Sequence, residues 1–115
     1  MPAFEVSESE IGLGRREIRI EGELDLAVAD RLQEVIERCR GKETLINLED
    51  CAFIDSTGIA VIVRAWREWA DEGCGRMVVQ SPNAQVLRVL DVTGLTGLGF
   101  VFGSREEALG NPALR

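Results

Sequence analysis

Hydrophobic and polar positions change period along this chain, and the changes mark its elements. Over residues 17–21, Ile18 and Ile20 alternate with Glu17, Arg19 and Glu21, a period of two that predicts a strand with one buried and one wet face. A short edge strand over 4–7 precedes it across a turn at Gly12-Leu13-Gly14, and Gly22 breaks the pattern. Over 26–40 the period becomes helical. Val28, Leu32, Val35, Ile36 and Cys39 form one stripe, with Asp25 as the expected N-cap and Gly41 as the stop.

A strand over 44–48 leads into an expected loop over 49–55. The helix after it is the most strongly patterned segment. Ile59, Ile62, Val63, Trp66, Trp69 and Ala70 make its apolar face, and Thr57, Val61, Arg64 and Glu68 make the other. Gly73-Cys74-Gly75 ends it, and 77–80 reads as a short buried strand. Ser81-Pro82-Asn83 then opens a third helix, with Pro82 preset for the first turn and Val86, Leu87 and Leu90 as the buried stripe. Gly94 and Gly97 close that helix, 98–102 is a last strand, and Ser104-Arg105-Glu106-Glu107 has the spacing of a capping box for a short terminal helix.

Strands alternating with helices predict an α/β fold, and the hairpin-like start adds an antiparallel pair. The expected architecture is a mixed β-sheet of about four to five strands backed by about four helices. With 115 residues the chain has room for one core, so 1–115 is read as a single domain. Scaling relations give such a chain about 6,000 Å² of accessible surface when folded.

Composition narrows the chemistry. A hydrophobic share of 45% with 29% charged residues argues against disorder. No apolar run reaches the length of a membrane span and the N-terminus lacks the features of a secretion signal, so a cytoplasmic protein without membrane insertion is expected. The net charge of −7 repels nucleic acid. There is no His, which removes the Ser-His-Asp triad, the His general base and the His-ligated metal. Cys39, Cys51 and Cys74 are odd in number and lack C-x-x-C spacing, so neither a disulfide framework nor a zinc site is expected. A Ser56 or cysteine nucleophile would have only carboxylates as a base, which argues against an enzyme. The glycine pair at 12 and 14 lacks the third glycine of a dinucleotide fingerprint, and Gly41-Lys42 lacks the rest of a P-loop.

One segment concentrates polar groups where a loop becomes a helix: Phe53-Ile54-Asp55-Ser56-Thr57-Gly58-Ile59. Asp, Ser and Thr are favoured helix caps, which accounts for the pattern by itself. A hydroxyl there is also exposed beside unpaired backbone donors, where a phosphate would be accommodated. Both readings stand on the residues alone. Val61, on the expected exposed stripe with Thr57, is a candidate partner contact.

Gly22-Glu23-Leu24-Asp25 ahead of a helix, followed by Leu48-Glu49 and Phe53-Ile54-Asp55-Ser56-Thr57-Gly58-Ile59-Ala60-Val61, resembles the STAS domain of anti-sigma factor antagonists. Val92-Thr93-Gly94-Leu95 and Phe100-Val101-Phe102 extend the similarity over nearly the whole chain. The resemblance implies that Ser56 is phosphorylated by the partner, an anti-sigma factor serine kinase of the GHKL type, and that a phosphoserine phosphatase resets it. It implies that Asp25 contributes to partner binding, that Asp55, Thr57 and Gly58 shape the site, and that no cofactor is needed. The unphosphorylated form would bind the kinase and release the sigma factor. The alternative on the same fold is the STAS subunit of a lipid-transport ATPase complex or a stressosome-like scaffold.

Overall fold

A computed structural model of the chain describes residues 4–81 and 83–110. Its elements run β1 (Phe4–Gly12), β2 (Arg15–Leu24), α1 (Ala29–Arg38), β3 (Glu43–Asn47), β4 (Cys51–Ile54), α2 (Ser56–Glu72), β5 (Met77–Gln80), α3 (Ala84–Val92), a 3-10 turn (Leu95–Leu98), β6 (Val101–Phe102) and α4 (Arg105–Gly110). The accessible surface is 6241 Å², close to the scaling value for one folded domain of this length.

The sheet is mixed, as the alternation of elements implies. β1 pairs antiparallel with β2, and the remaining pairings are parallel, in the order β1-β2-β3-β5-β6. β4 also pairs with β2, taking over from β3 along the same side: β3 lies beside Arg15 to Arg19, and β4 beside Gly22 to Leu24. The expected loop over 49–55 therefore contains a sixth strand. Cys51 and Ile54 are buried while Ala52 and Phe53 are not, a pattern too short to carry a strand period.

One face of the sheet carries the main core. Ile18 and Ile20 from β2, Ile46 from β3 and Val79 from β5 pack with Leu32 and Ile36 of α1, Ile62 and Trp69 of α2, and Val86 and Leu90 of α3. Each of these large apolar side chains contributes on the order of 1.5–3 kcal/mol by leaving water. On the other face α4 covers Leu45 and Val78 with Ala108 and Leu109. The Ser104 cap fixes α4: Glu107 N–H donates to Ser104 Oγ at 3.2 Å, and the Ser104 hydroxyl donates to Glu107 Oε1, also at 3.2 Å.

That second cover changes the reading of β2. Glu17, expected on a wet face, is buried under α4, where Arg105 Nη1 and Nη2 donate to its carboxylate at 2.7 and 2.9 Å and Asn47 Nδ2 donates at 2.7 Å. The Arg105 guanidinium is the main cause of the lowering of the Glu17 pKa, and Asn47 adds to it against the opposing effect of burial.

Three boundaries differ from the sequence reading. Asp25 does not cap α1, which starts at Ala29 behind Val28 with no side-chain cap. Asp25 instead closes a turn, accepting at Oδ1 from Ala27 N–H at 3.0 Å and at its carbonyl from Val28 N–H at 3.1 Å. The third helix is capped by Asn83, whose Oδ1 accepts from Gln85 and Val86 N–H, and the expected role of Pro82 lies outside the described residues. The last strand shortens to two residues because the 3-10 turn takes Leu98. At the end of α2, Gly73 adopts φ 66° and closes the helix as expected, with Cys74 N–H reaching Trp69 O.

Candidate functional site

Two strand ends create the site. β2 and β4 run parallel with Leu24 opposite Ile54, so Asp25 and Asp55 leave the sheet side by side. Asp55 N–H donates to Leu24 O at 3.1 Å, extending the ladder one step beyond β4. The chain then turns into α2. Asp55 is the N-cap in extended conformation, its Oδ1 accepting from Gly58 N–H at 3.0 Å and its carbonyl from Ile59 N–H at 3.0 Å.

Ser56 is thereby the first helical residue, and it is exposed. The Asp55 carboxylate satisfies Gly58, while the N–H groups of Ser56 and Thr57 belong to the first turn and have no intrahelical carbonyl. The site thus combines an exposed serine and the positive end of a 17-residue helix dipole with the adjacent Asp55 carboxylate and, across the paired strand ends, that of Asp25. Thr57 is half-buried beside it.

Gly58 fits the helix start against β2. A Cβ built on it would lie 2.6 Å from Leu24 Cγ and 3.1 Å from Leu24 O. The Gly-Glu-Leu-Asp and Asp-Ser-Thr-Gly segments, 33 residues apart at Asp25 and Gly58, are therefore one packed unit. Sequence reasoning assigned Gly58 to the site without its partner Leu24. The missing signal was β4, whose pairing with β2 brings them together.

Val61 is a correction. It is 9% exposed and belongs to the main core, with Gly58, Ile62, Ala65 and Trp69. α2 is covered by the sheet and also by α1, so its buried arc is wider than a one-sided apolar stripe predicts. The exposed ridge beyond Ser56 runs instead through Ala60, Arg64, Arg67 and Glu68, and Ala70, expected on the apolar face, is exposed as well. A buried Val61 offers a partner no surface.

Two large apolar side chains near the site were not singled out as surface groups. Leu26, one residue beyond Asp25, is 73% exposed, and Phe53, two residues before Asp55, is 49% exposed. Burial pushes the Cys39 and Cys51 thiols up, away from the reactive thiolate. Among the described residues no group of three Cys, Asp or Glu side chains is arranged to hold a metal ion, and no helix is long and apolar enough to cross a membrane.

The fold is that of a small mixed α/β domain, with Ser56 exposed at the start of its second helix. The chain belongs to the STAS domain family, whose model matches residues 10–108. It is 30% identical over 96 residues to the anti-sigma F factor antagonist of Paenibacillus polymyxa, covering 80% of this chain and 81% of that one. Its fold is similar to that of an anti-sigma factor antagonist from Mycobacterium paratuberculosis, with a TM-score of 0.77 at 19% identity over 94% of this chain and 92% of the other. It is also similar to the phosphorylated form of the Bacillus cell fate determinant SpoIIAA, with a TM-score of 0.66 at 21% identity over 93% and 96% of the two chains.

Proposed function

We propose that this protein is a cytoplasmic anti-sigma factor antagonist switched by phosphorylation of Ser56. In this reading the unmodified chain binds an anti-sigma factor serine kinase of the GHKL type and so frees the sigma factor. The kinase phosphorylates Ser56 and is released, and a phosphoserine phosphatase resets the cycle. The observation that carries the reading is the exposed Ser56 hydroxyl at the first position of α2, beside the paired strand ends that bear Asp25 and Asp55. The names of the curated relatives support the regulator class, and the phosphorylated form of SpoIIAA supports a phosphate on this fold.

The physics of the switch is local. A phosphate adds about 1.5 to 2 negative charges at neutral pH. The first-turn N–H groups accommodate that charge in the free protein, so the fold survives it. A partner surface matched to a neutral hydroxyl and to Asp25 and Asp55 would have to desolvate three negative groups at once, which weakens binding without refolding. Thr57, half-buried and one residue on, shapes the surface around the acceptor.

The test combines modification and binding. Peptide mass spectrometry of the chain from its native cells should place a phosphate on Ser56. A purified anti-sigma kinase from the same cells should bind wild type and Ser56→Ala comparably and Ser56→Asp at least about tenfold more weakly. Equal binding of Ser56→Asp would remove the switch, and failure of every form to bind such a kinase would remove the antagonist role.

A further inference from the structure

A cavity of about 910 Å³ lies at the other end of α2 from Ser56, between the C-terminal half of that helix, the β1–β2 turn and the starts of β5 and β6. Trp66, ten residues along α2 from Ser56, is displaced from it by about 15 Å of helix rise, so the cavity is separate from the phosphoacceptor. Its volume falls within the usual range for small-molecule sites, about 300–1,000 Å³.

Its lining is chemically specific. Trp66 and Phe100, both on the lining, stack face to face with centroids 4.4 Å apart and rings 12° from parallel. Trp69 lines the same cavity and is 1% exposed, yet its Nε1–H has no hydrogen-bond acceptor among the described residues. A buried indole N–H ordinarily finds a partner, and leaving one unmade is costly. The charged groups on the lining are not balanced. Arg15 and Glu43 pair at 3.1 Å and offset each other, whereas exposed Arg76 has no carboxylate partner among the described residues. A protein of net charge −7 thus presents, among the described residues, one uncompensated cation on a lining that also carries a stacked aromatic pair and an unpaired buried donor.

We propose that this cavity is a binding site for a small aromatic anion. The ring packs against the stacked Trp66–Phe100 pair, the anionic group faces Arg76, and an acceptor atom of the ligand accepts a hydrogen bond from the Trp69 indole N–H. The site stands independently of the Ser56 switch, since it shares no residue with it.

The chain has two tryptophans, so its indole N–H region in a proton–nitrogen correlation spectrum holds two signals. The Trp66→Phe variant assigns the one that belongs to Trp69. The probe is 2-naphthoate titrated into the full chain, with uncharged 2-naphthamide as its near-isostere. Saturable movement of the Trp69 indole signal by 2-naphthoate is expected, together with binding about three- to fivefold weaker for the amide and for Arg76→Ala, the scale of an exposed ion pair. Arg76 is exposed and outside both cores, so its variant keeps the fold, which the same spectrum checks. Absence of saturable movement up to about 5 mM probe overturns the site. Equal affinity of acid, amide and Arg76→Ala overturns the assignment of the anion to Arg76, and shifts confined to residues around Ser56 place the ligand elsewhere.

Discussion

Gly58 and Leu24 are packed so closely that the helix start leaves no room for a methyl group: a Cβ on Gly58 would sit 2.6 Å from Leu24 Cγ. In an exposed helix, alanine in place of glycine stabilises by about 1 kcal/mol. Here overlap with a fully buried Leu24 opposes that gain, and overpacking of a core contact costs about 1–3 kcal/mol. Gly58→Ala should therefore lower stability in urea denaturation despite its better helix propensity. Leu24→Ala alone should destabilise by leaving a cavity, and the double variant should be more stable than the sum of the two losses predicts, because each relieves the other. Strict additivity would mean that the two residues do not meet.

Asp55 acts on the same turn through a hydrogen bond. Its Oδ1 holds Gly58 N–H at 3.0 Å, so Asp55→Ala should cost about 1 kcal/mol of stability, the usual loss for a removed N-cap. Asp55→Asn keeps an acceptor oxygen at that place and should stay within a few tenths of a kcal/mol of wild type. The pair of variants also separates the cap from charge at the site. If partner binding follows the carboxylate, Asn loses it while keeping the fold.

What could be read from the chain beforehand follows from how each segment is buried. Ile18 and Ile20 declare β2 by alternation, and Leu32, Val35 and Ile36 declare α1 by helical spacing, because these side chains line one face of their element and enter the same core. The Asp55 cap and the exposed Ser56 are equally local, set by the residues of a single turn. The failures are all tertiary. β4 is four residues long and takes its identity from pairing with β2, Val61 is buried because α1 closes a second side of α2, and Glu17 is buried because α4 folds onto the opposite face. Asp25 has the residue type of a helix cap but sits four residues ahead of α1, in a turn of its own. A polar residue at a predicted boundary identifies a turn, while the backbone path after it decides what the turn leads to.

Ser56 offers a way to separate loss of binding from loss of fold. A negative charge at the first helical position interacts favourably with the helix dipole, by about 0.3–1 kcal/mol at low salt. Ser56→Asp should therefore unfold at an equal or higher urea concentration than wild type, with the difference shrinking as salt is added. On the proposed switch the same substitution weakens binding to the anti-sigma kinase. Stability held or raised while affinity falls is the expected combination. A variant that lost both would show only that the helix start had been damaged.

The Glu17–Arg105 pair fixes α4 to the sheet, and its titration sets an acid limit on stability. Arg105 and Asn47 donate to the Glu17 carboxylate, and the Arg105 bonds are the main reason that its pKa is lowered in the folded chain. A depressed folded pKa means that the unfolded chain takes up the proton first as pH falls. The contribution is therefore complete above the unfolded value, about 4.3, and is lost as pH descends from there through the lower folded value. Glu17→Gln keeps the volume and one acceptor but removes the charge, so at pH 7 it should be destabilised by about 1–3 kcal/mol, moderated by the partial exposure of Arg105. Since the variant has no carboxylate to protonate at this position, the gap between its urea midpoint and that of wild type should narrow steadily below about pH 4.3. A gap that stayed constant down to pH 3 would assign the loss to packing of α4 and not to the ion pair. Glu8 is also lowered, chiefly by Arg38 and further by Arg16, and it titrates in both proteins, so it cancels from the comparison and leaves Glu17 as the group that the difference reads.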